Sequence, residues 1–163
     1  GQVDALSASA KKDPQVAELV RQIDAAAESS RAPEPKELKA KVEAGARVLI
    51  TQLFFDNAHY YRFVEDARRL GADIPVVPGI MPITNATQLL RFSDACGAEV
   101  PRWIRLRLQA YGDDRAAIQA FGLDVIAALC ERLRREGAPG LHFYSMNQAA
   151  PTLAICQRLG LGG

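Results

Sequence analysis

The side chains best placed to meet a ligand are Thr51, Gln52, Met81, Tyr144, Ser145 and Asn147, each near the end of an apolar run. Most are neutral groups that hydrogen-bond, and aromatic residues stand close by. Such a set suits a flat heteroaromatic ligand and does not suit hydrolysis. The chain has no Gly-x-Ser-x-Gly elbow and no glycine-rich phosphate loop. His59 and His142 lack metal-ligand spacing. His142 lies inside an apolar run and reads as a core histidine. His59 falls in the first turn of an exposed helix and reads as solvated. Gln88 and Phe92 are four residues apart, so one helix presents both on one side. They could bracket a planar substrate; the competing reading puts Phe92 in the core and Gln88 at the surface. Trp103 among Arg102, Arg105 and Arg107 is either a cation–π patch or the packing residue of a short helix.

The run Leu49-Ile50-Thr51-Gln52-Leu53-Phe54-Phe55-Asp56 is the most informative stretch. Val48, Leu49 and Ile50 read as a strand buried on both faces, as parallel strands between helices are. Gln52 then stands at the C-terminal end of that strand, where α/β sheets place their ligand chemistry. Asp56 and Asn57 can cap the helix that follows. An ordinary strand-to-helix corner with an incidental amide is the alternative.

The elements around this run follow from punctuation and period. Residues 1–12 are small and polar without a period and read as a flexible arm. Asp13-Pro14 opens a helix, with Val16, Leu19, Val20 and Ile23 on one face. A short helix follows from about 35 to 44, ended by Gly45. The spacing then predicts a strand over 48–54, a helix over 57–70, and a strand over 74–80 that Pro75 and Pro78 interrupt. Pro78-Gly79 marks either a sheet edge or a backbone close to a ligand. Asn85 caps a helix that runs to Cys96. Helices over 101–110 and 113–136, a strand over 141–145 and a helix over 149–159 complete the pattern. Strand and helix alternate three times, so the strands join as a parallel sheet. Residues 13–163 read as a single α/β domain. Three strands cannot close a barrel, which takes eight and about 250 residues. The other face of such a sheet should be bare, which calls for a partner. The segment around Val16 to Ile23 could cover it instead.

Composition sets outer limits. The chain is 48% hydrophobic and 24% charged, a globular balance, and its net charge of +1 gives no case for a nucleic-acid partner. Cys96, Cys130 and Cys156 are widely spaced, which fits packing thiols in a reduced, cytoplasmic protein. No run approaches a membrane span.

Several blocks, in order, resemble bacterial methylenetetrahydrofolate reductase, over about residues 38–159. They are Leu38-Lys39-Ala40-Lys41-Val42-Glu43-Ala44-Gly45-Ala46, then Ile50 to Asp56, then Val77-Pro78-Gly79-Ile80-Met81-Pro82-Ile83-Thr84-Asn85. Arg91-Phe92-Ser93-Asp94 and Leu141-His142-Phe143-Tyr144-Ser145-Met146-Asn147 follow. The resemblance implies a (β/α)₈ TIM barrel, here a partial (half) barrel with three clear strands. It implies FAD at the strand ends, with NAD(P)H as hydride donor and methylenetetrahydrofolate as acceptor. It makes Lys41, Ile50, Gln52 and Tyr144 flavin-contacting positions. Gln52, Gln88 and Phe92 become folate-contacting ones. Gln148 falls where some members carry arginine and is implied to stack on or hydrogen-bond the ligands.

The family's barrel has five strands before the one that carries Gln52. Its glutamate acid and an aspartate beside the flavin are expected in that part. Residues 13–34 match none of those blocks, and Glu18, Glu28 and Glu34 are not promoted to the acid. No catalytic residue is assigned within this chain. Three readings stand: a reductase part completed by another chain or by a homo-oligomer, a non-catalytic folding or assembly module, and a different barrel-derived binding protein for a flat ligand.

Overall fold

The structure is a computed structural model that describes residues 35–161; the N-terminal arm and the helix expected from Asp13-Pro14 lie outside the described residues. Among the described residues three strands alternate with six helices. In chain order they are α1 (Pro35–Glu43), β1 (Leu49–Leu53), α2 (Asn57–Arg69), β2 (Val76–Ile80), α3 (Ala86–Cys96), α4 (Arg102–Tyr111), α5 (Arg115–Arg135), β3 (His142–Phe143) and α6 (Ala149–Arg158). The strands lie in the order β1-β2-β3 and pair in parallel.

Local chemistry sets the helix starts. Asp56 Oδ1 accepts from the Ala58 amide at 2.9 Å, Asn85 Oδ1 from Gln88 at 2.8 Å and Asp114 Oδ1 from Ala117 at 3.0 Å. Each satisfies one of the amides a helix leaves open at its first turn. Asn57 is not a cap: it is buried, and its side-chain amide reaches the Leu129 carbonyl of α5 at 3.4 Å. Gly97 ends α3 in the left-handed conformation, with φ 66°.

The core lies between the sheet and the helices. Ile80, Leu89, Ile104, Ile126, Leu133 and Ile155 are fully buried there. Phe54 stacks on Tyr60 at 5.8 Å between centroids, and the Tyr60 hydroxyl donates to the Val76 carbonyl at 2.9 Å. A smaller cluster of Leu38, Ala67 and Ala72 fastens α1 to α2. The long helix α5 comes so close to the loop after β2 that a Cβ at Gly122 would meet the Ile83 carbonyl oxygen and lie 2.8 Å from Ile83 Cβ.

Three expectations change. β1 is not buried on both faces: Leu53 is buried, whereas Val48 and Ile50 are 49% and 51% exposed. Alternate residues of a strand face opposite ways. The described helices cover the Leu49 and Leu53 side, and no described element covers Val48 and Ile50. β2 is the central strand despite Pro78, not an edge. β3 has two residues in place of the five expected, and the chain turns beyond it at Met146 (φ 51°) and Asn147 (φ 60°).

The three cysteines are free thiols among the described residues. No described helix is long and apolar enough to cross a membrane. Burial, and then the nearby Cys156, push the Cys130 thiol up to about 12 from its ordinary 9.0.

Two outcomes are expected. Replacing a helix-interior glycine by alanine ordinarily gains about 1 kcal/mol. Gly122→Ala is expected to lose about 1–3 kcal/mol, the usual cost of overpacking, in a denaturant melt; a gain contradicts the α5–loop contact. For Cys130, a folded value above the unfolded one gives stability that is complete below about pH 9 and lost as the pH rises toward about 12. Denaturant midpoints should therefore fall across that window, and the fall should be shallower in Cys130→Ala; identical slopes contradict the assignment.

Candidate functional site

The site is built where β1 and β2 fall out of step. Leu49 pairs with Val76 and Ile50 with Val77, but the next pair is Leu53 with Gly79. Three steps along β1 match two along β2, which places an extra residue at Thr51-Gln52, a β-bulge. The partner opposite is Pro78, which brings no N–H to the ladder. Thr51 makes good the irregularity. Its hydroxyl accepts from the Gly79 amide at 2.9 Å and donates to the Gln52 carbonyl at 2.8 Å.

Tyr144 closes the arrangement from the third strand. Its amide donates to the Ile80 carbonyl at 2.8 Å, and its hydroxyl crosses β2 to donate to the Thr51 carbonyl at 2.9 Å. The ring lies over Gly79: a Cβ there would meet the Thr51 carbonyl oxygen and sit 2.7 Å from Tyr144 Cε2. Only glycine leaves room for the ring to lie this flat. Burial, with Cys96 as a lesser influence, raises the Tyr144 pKa, so its phenol stays a donor at neutral pH. His142, expected in the core, is half-buried instead and packs edge-on against Tyr144 at 4.9 Å. Its side chain shares the Tyr144 side of the strand, two residues away.

Beside Tyr144 the loops after β2 and β3 form a narrow cleft of about 20 Å³, lined by Thr84, Asn85, Gln88, Tyr144, Ser145 and Gln148 among others. That is room for about one water. Gln88, Tyr144 and Gln148 therefore converge. Gln52 is exposed and stands one residue from the Tyr144 anchor. Phe92, one turn beyond Gln88 on α3, is half-buried and packs against the core. Ile50 lies on the open face of β1. Lys41 is exposed in the last turn of α1 and is not part of the cleft lining. A second groove of about 720 Å³ between α5 and α6 shares Pro82, Thr84, Gln148 and Pro151 with the cleft, and most of its wall is apolar. Trp103 is 55% exposed and meets Phe121 edge-on at 6.0 Å. Among the described residues no three His, Cys, Asp or Glu side chains converge as a metal site would require.

Thr51 and Gly79 are the residues that reading the sequence undervalued. The available signal was Pro78-Gly79 in an otherwise regular strand, but its partner lies 28 residues away and only the register reveals it.

Amide, hydroxyl and phenol groups thus gather at the parallel strand ends, the edge at which α/β folds commonly place small-molecule sites. The methylenetetrahydrofolate reductase family model matches residues 14–160. The chain belongs to that family. The match takes in residues 14–34, which the individual sequence blocks had left apart. A probable methylenetetrahydrofolate reductase (NADH) of Oryza sativa subsp. japonica is 39% identical over 124 residues, covering 76% of this chain and 21% of that protein. The 5,10-methylenetetrahydrofolate reductases of Escherichia coli (strain K12) and Salmonella typhimurium are 36% identical over the same length, covering 42% of theirs. The chain thus spans less than half the length of these relatives. An uncharacterized Clostridium thermocellum protein that binds two copies of 5-methyl-5,6,7,8-tetrahydrofolic acid overlays with a TM-score of 0.49 at 18% identity, covering 76% of this chain and 46% of that one. An overlap that loose transfers nothing to this chain.

Tyr144→Phe removes one hydrogen bond and is expected to cost about 0.5–1.5 kcal/mol. Gly79→Ala must displace both the ring and the Thr51 carbonyl, so it should cost more. Chemical denaturation of both variants checks the order, and the reverse order contradicts the packing of Tyr144 on Gly79.

Proposed function

We propose that this chain is the flavin- and folate-facing part of a methylenetetrahydrofolate reductase, with its three strands forming part of a (β/α)₈ barrel. In this reading it serves the NAD(P)H-dependent reduction of methylenetetrahydrofolate to methyltetrahydrofolate. The observation that carries it is the convergence of Gln88, Tyr144 and Gln148 around one cleft, with Gln52 beside them, in a chain of this family.

The donor set fits a flavin or a pterin. Carboxamides and a phenol can match the mixed nitrogen and carbonyl edges of either heterocycle, and no charge has to be buried with them. FAD supplies the hydride chemistry when bound. The chain's own groups bind and orient. Gln52 offers an amide from the end of β1. Gln88 offers its amide from the first turn of α3 and Gln148 from the residue before α6. Tyr144 holds its ring in place, and Ile50 offers an apolar surface. Lys41 and Phe92 belong to this proposal as more distant contacts with flavin and folate. The cleft is far smaller than either ligand, so the ligands lie on the open face that Ile50 and Gln52 share. No carboxylate lines the cleft. The acid that assists opening of the folate ring therefore comes from another part of the barrel, whether on the same chain, a second copy or a complementing one. The 49% and 51% exposure of Val48 and Ile50 favours such completion, and equally a second reading in which the chain acts as an assembly module without catalysis.

Titration of the chain with FAD separates the two. Quenching of flavin fluorescence is expected, weakened about tenfold by Gln52→Ala, or about 1.4 kcal/mol. Unchanged fluorescence on addition of the wild-type chain contradicts the reductase reading and leaves the assembly module.

A further inference from the structure

We infer that Thr51 is a positioning residue that fixes the directions of Gln52 and Tyr144 toward the ligand side of the sheet. The inference rests on the reading above for the identity of the ligand, and on geometry alone for the positioning. The motive is that one residue of β1 is hydrogen-bonded both to β2 and to the residue that follows β3. Its hydroxyl accepts from Gly79 on β2 and donates to the Gln52 carbonyl on β1; its carbonyl accepts from Tyr144, which follows β3.

Each contact answers a distinct need. Pro78 leaves the ladder without a donor where β1 bulges, and the buried Gly79 amide must find an acceptor off the regular register. The Thr51 hydroxyl is that acceptor. The same hydroxyl proton goes to the Gln52 carbonyl, which fixes the peptide plane after the bulge. A bulge re-aims the side chain it carries, and here that side chain is Gln52. The carbonyl bond to Tyr144 sets how far the phenol ring lies across Gly79. Removing the hydroxyl therefore frees the Gln52 peptide plane and the Gly79 amide together. Tyr144 loses the fixed carbonyl to which it is anchored.

Thr51→Val keeps the shape and removes the hydroxyl; Thr51→Ser keeps the hydroxyl. The full chain, with isotope-labelled glutamine and tyrosine, is followed by NMR at the Gln52 side-chain amide and the Tyr144 ring, and by FAD titration. Thr51→Ser is expected to leave both signals at their wild-type positions and FAD affinity within about twofold. Thr51→Val is expected to shift both signals and weaken FAD about tenfold, the factor set by one or two lost hydrogen bonds. Signals that do not move in Thr51→Val overturn the inference, as does Thr51→Ser behaving like Thr51→Val. Shifted signals with unaltered FAD affinity overturn the link to ligand binding. A wild-type chain that takes no FAD refutes the proposed function; the resonances then decide the positioning of Gln52 and Tyr144 by themselves.

Discussion

Pro78 has no N–H, and the C-terminal edge of the sheet is arranged around that missing donor. A proline in a central strand costs a ladder bond. Here the loss is absorbed by a one-residue slip of β1, and the Thr51 hydroxyl takes the Gly79 amide. Gly79 in turn leaves the space that the Tyr144 ring occupies, and Tyr144 returns a hydrogen bond to Thr51. Four residues, on two strands and just after the third, thus depend on one another. Tyr144, so held, lines the same cleft as Gln88 and Gln148.

The two sides of the sheet behave differently. On one side the helices bury a continuous core in which Ile80, Leu89, Ile104 and Leu133 are fully enclosed. On the other side Val48 and Ile50 remain half exposed and Gln52 is open. Apolar strand residues in water are unfavourable by about 25 cal/mol per Å² left uncovered. The asymmetry suits the proposal that the three strands are part of a barrel, whose inner face further strands would cover. The chain spans 42% of the bacterial relatives and 21% of the plant ones.

Features encoded within a few residues could be read from the sequence. Asp56, Asn85 and Asp114 cap the helices expected to follow them, and Gly97 ends the helix before it. The alternation of parallel strands with helices was legible for the same reason. The family was legible because several blocks occur in order. What depends on distant partners was not. Val48, Leu49 and Ile50 have equal claims to burial in a sequence, and only the placement of the helices decides which face is covered. His142 read as a core residue because its neighbours are apolar, yet alternation puts it on the open side with Tyr144. The role of Thr51 depends on a register between strands 28 residues apart, which no local pattern carries. Gln88 and Gln148 were brought together by loops after different strands, and only the family resemblance had linked them.

In the proposed function, ligand covers the open face at the strand ends. Hydrogen–deuterium exchange of the full chain with and without FAD reads that coverage residue by residue. Slowed exchange is expected in segments 50–54, 77–88 and 142–148, with the helices away from that edge unaffected. Protection centred instead on the groove between α5 and α6, with those three segments unaltered, would contradict it.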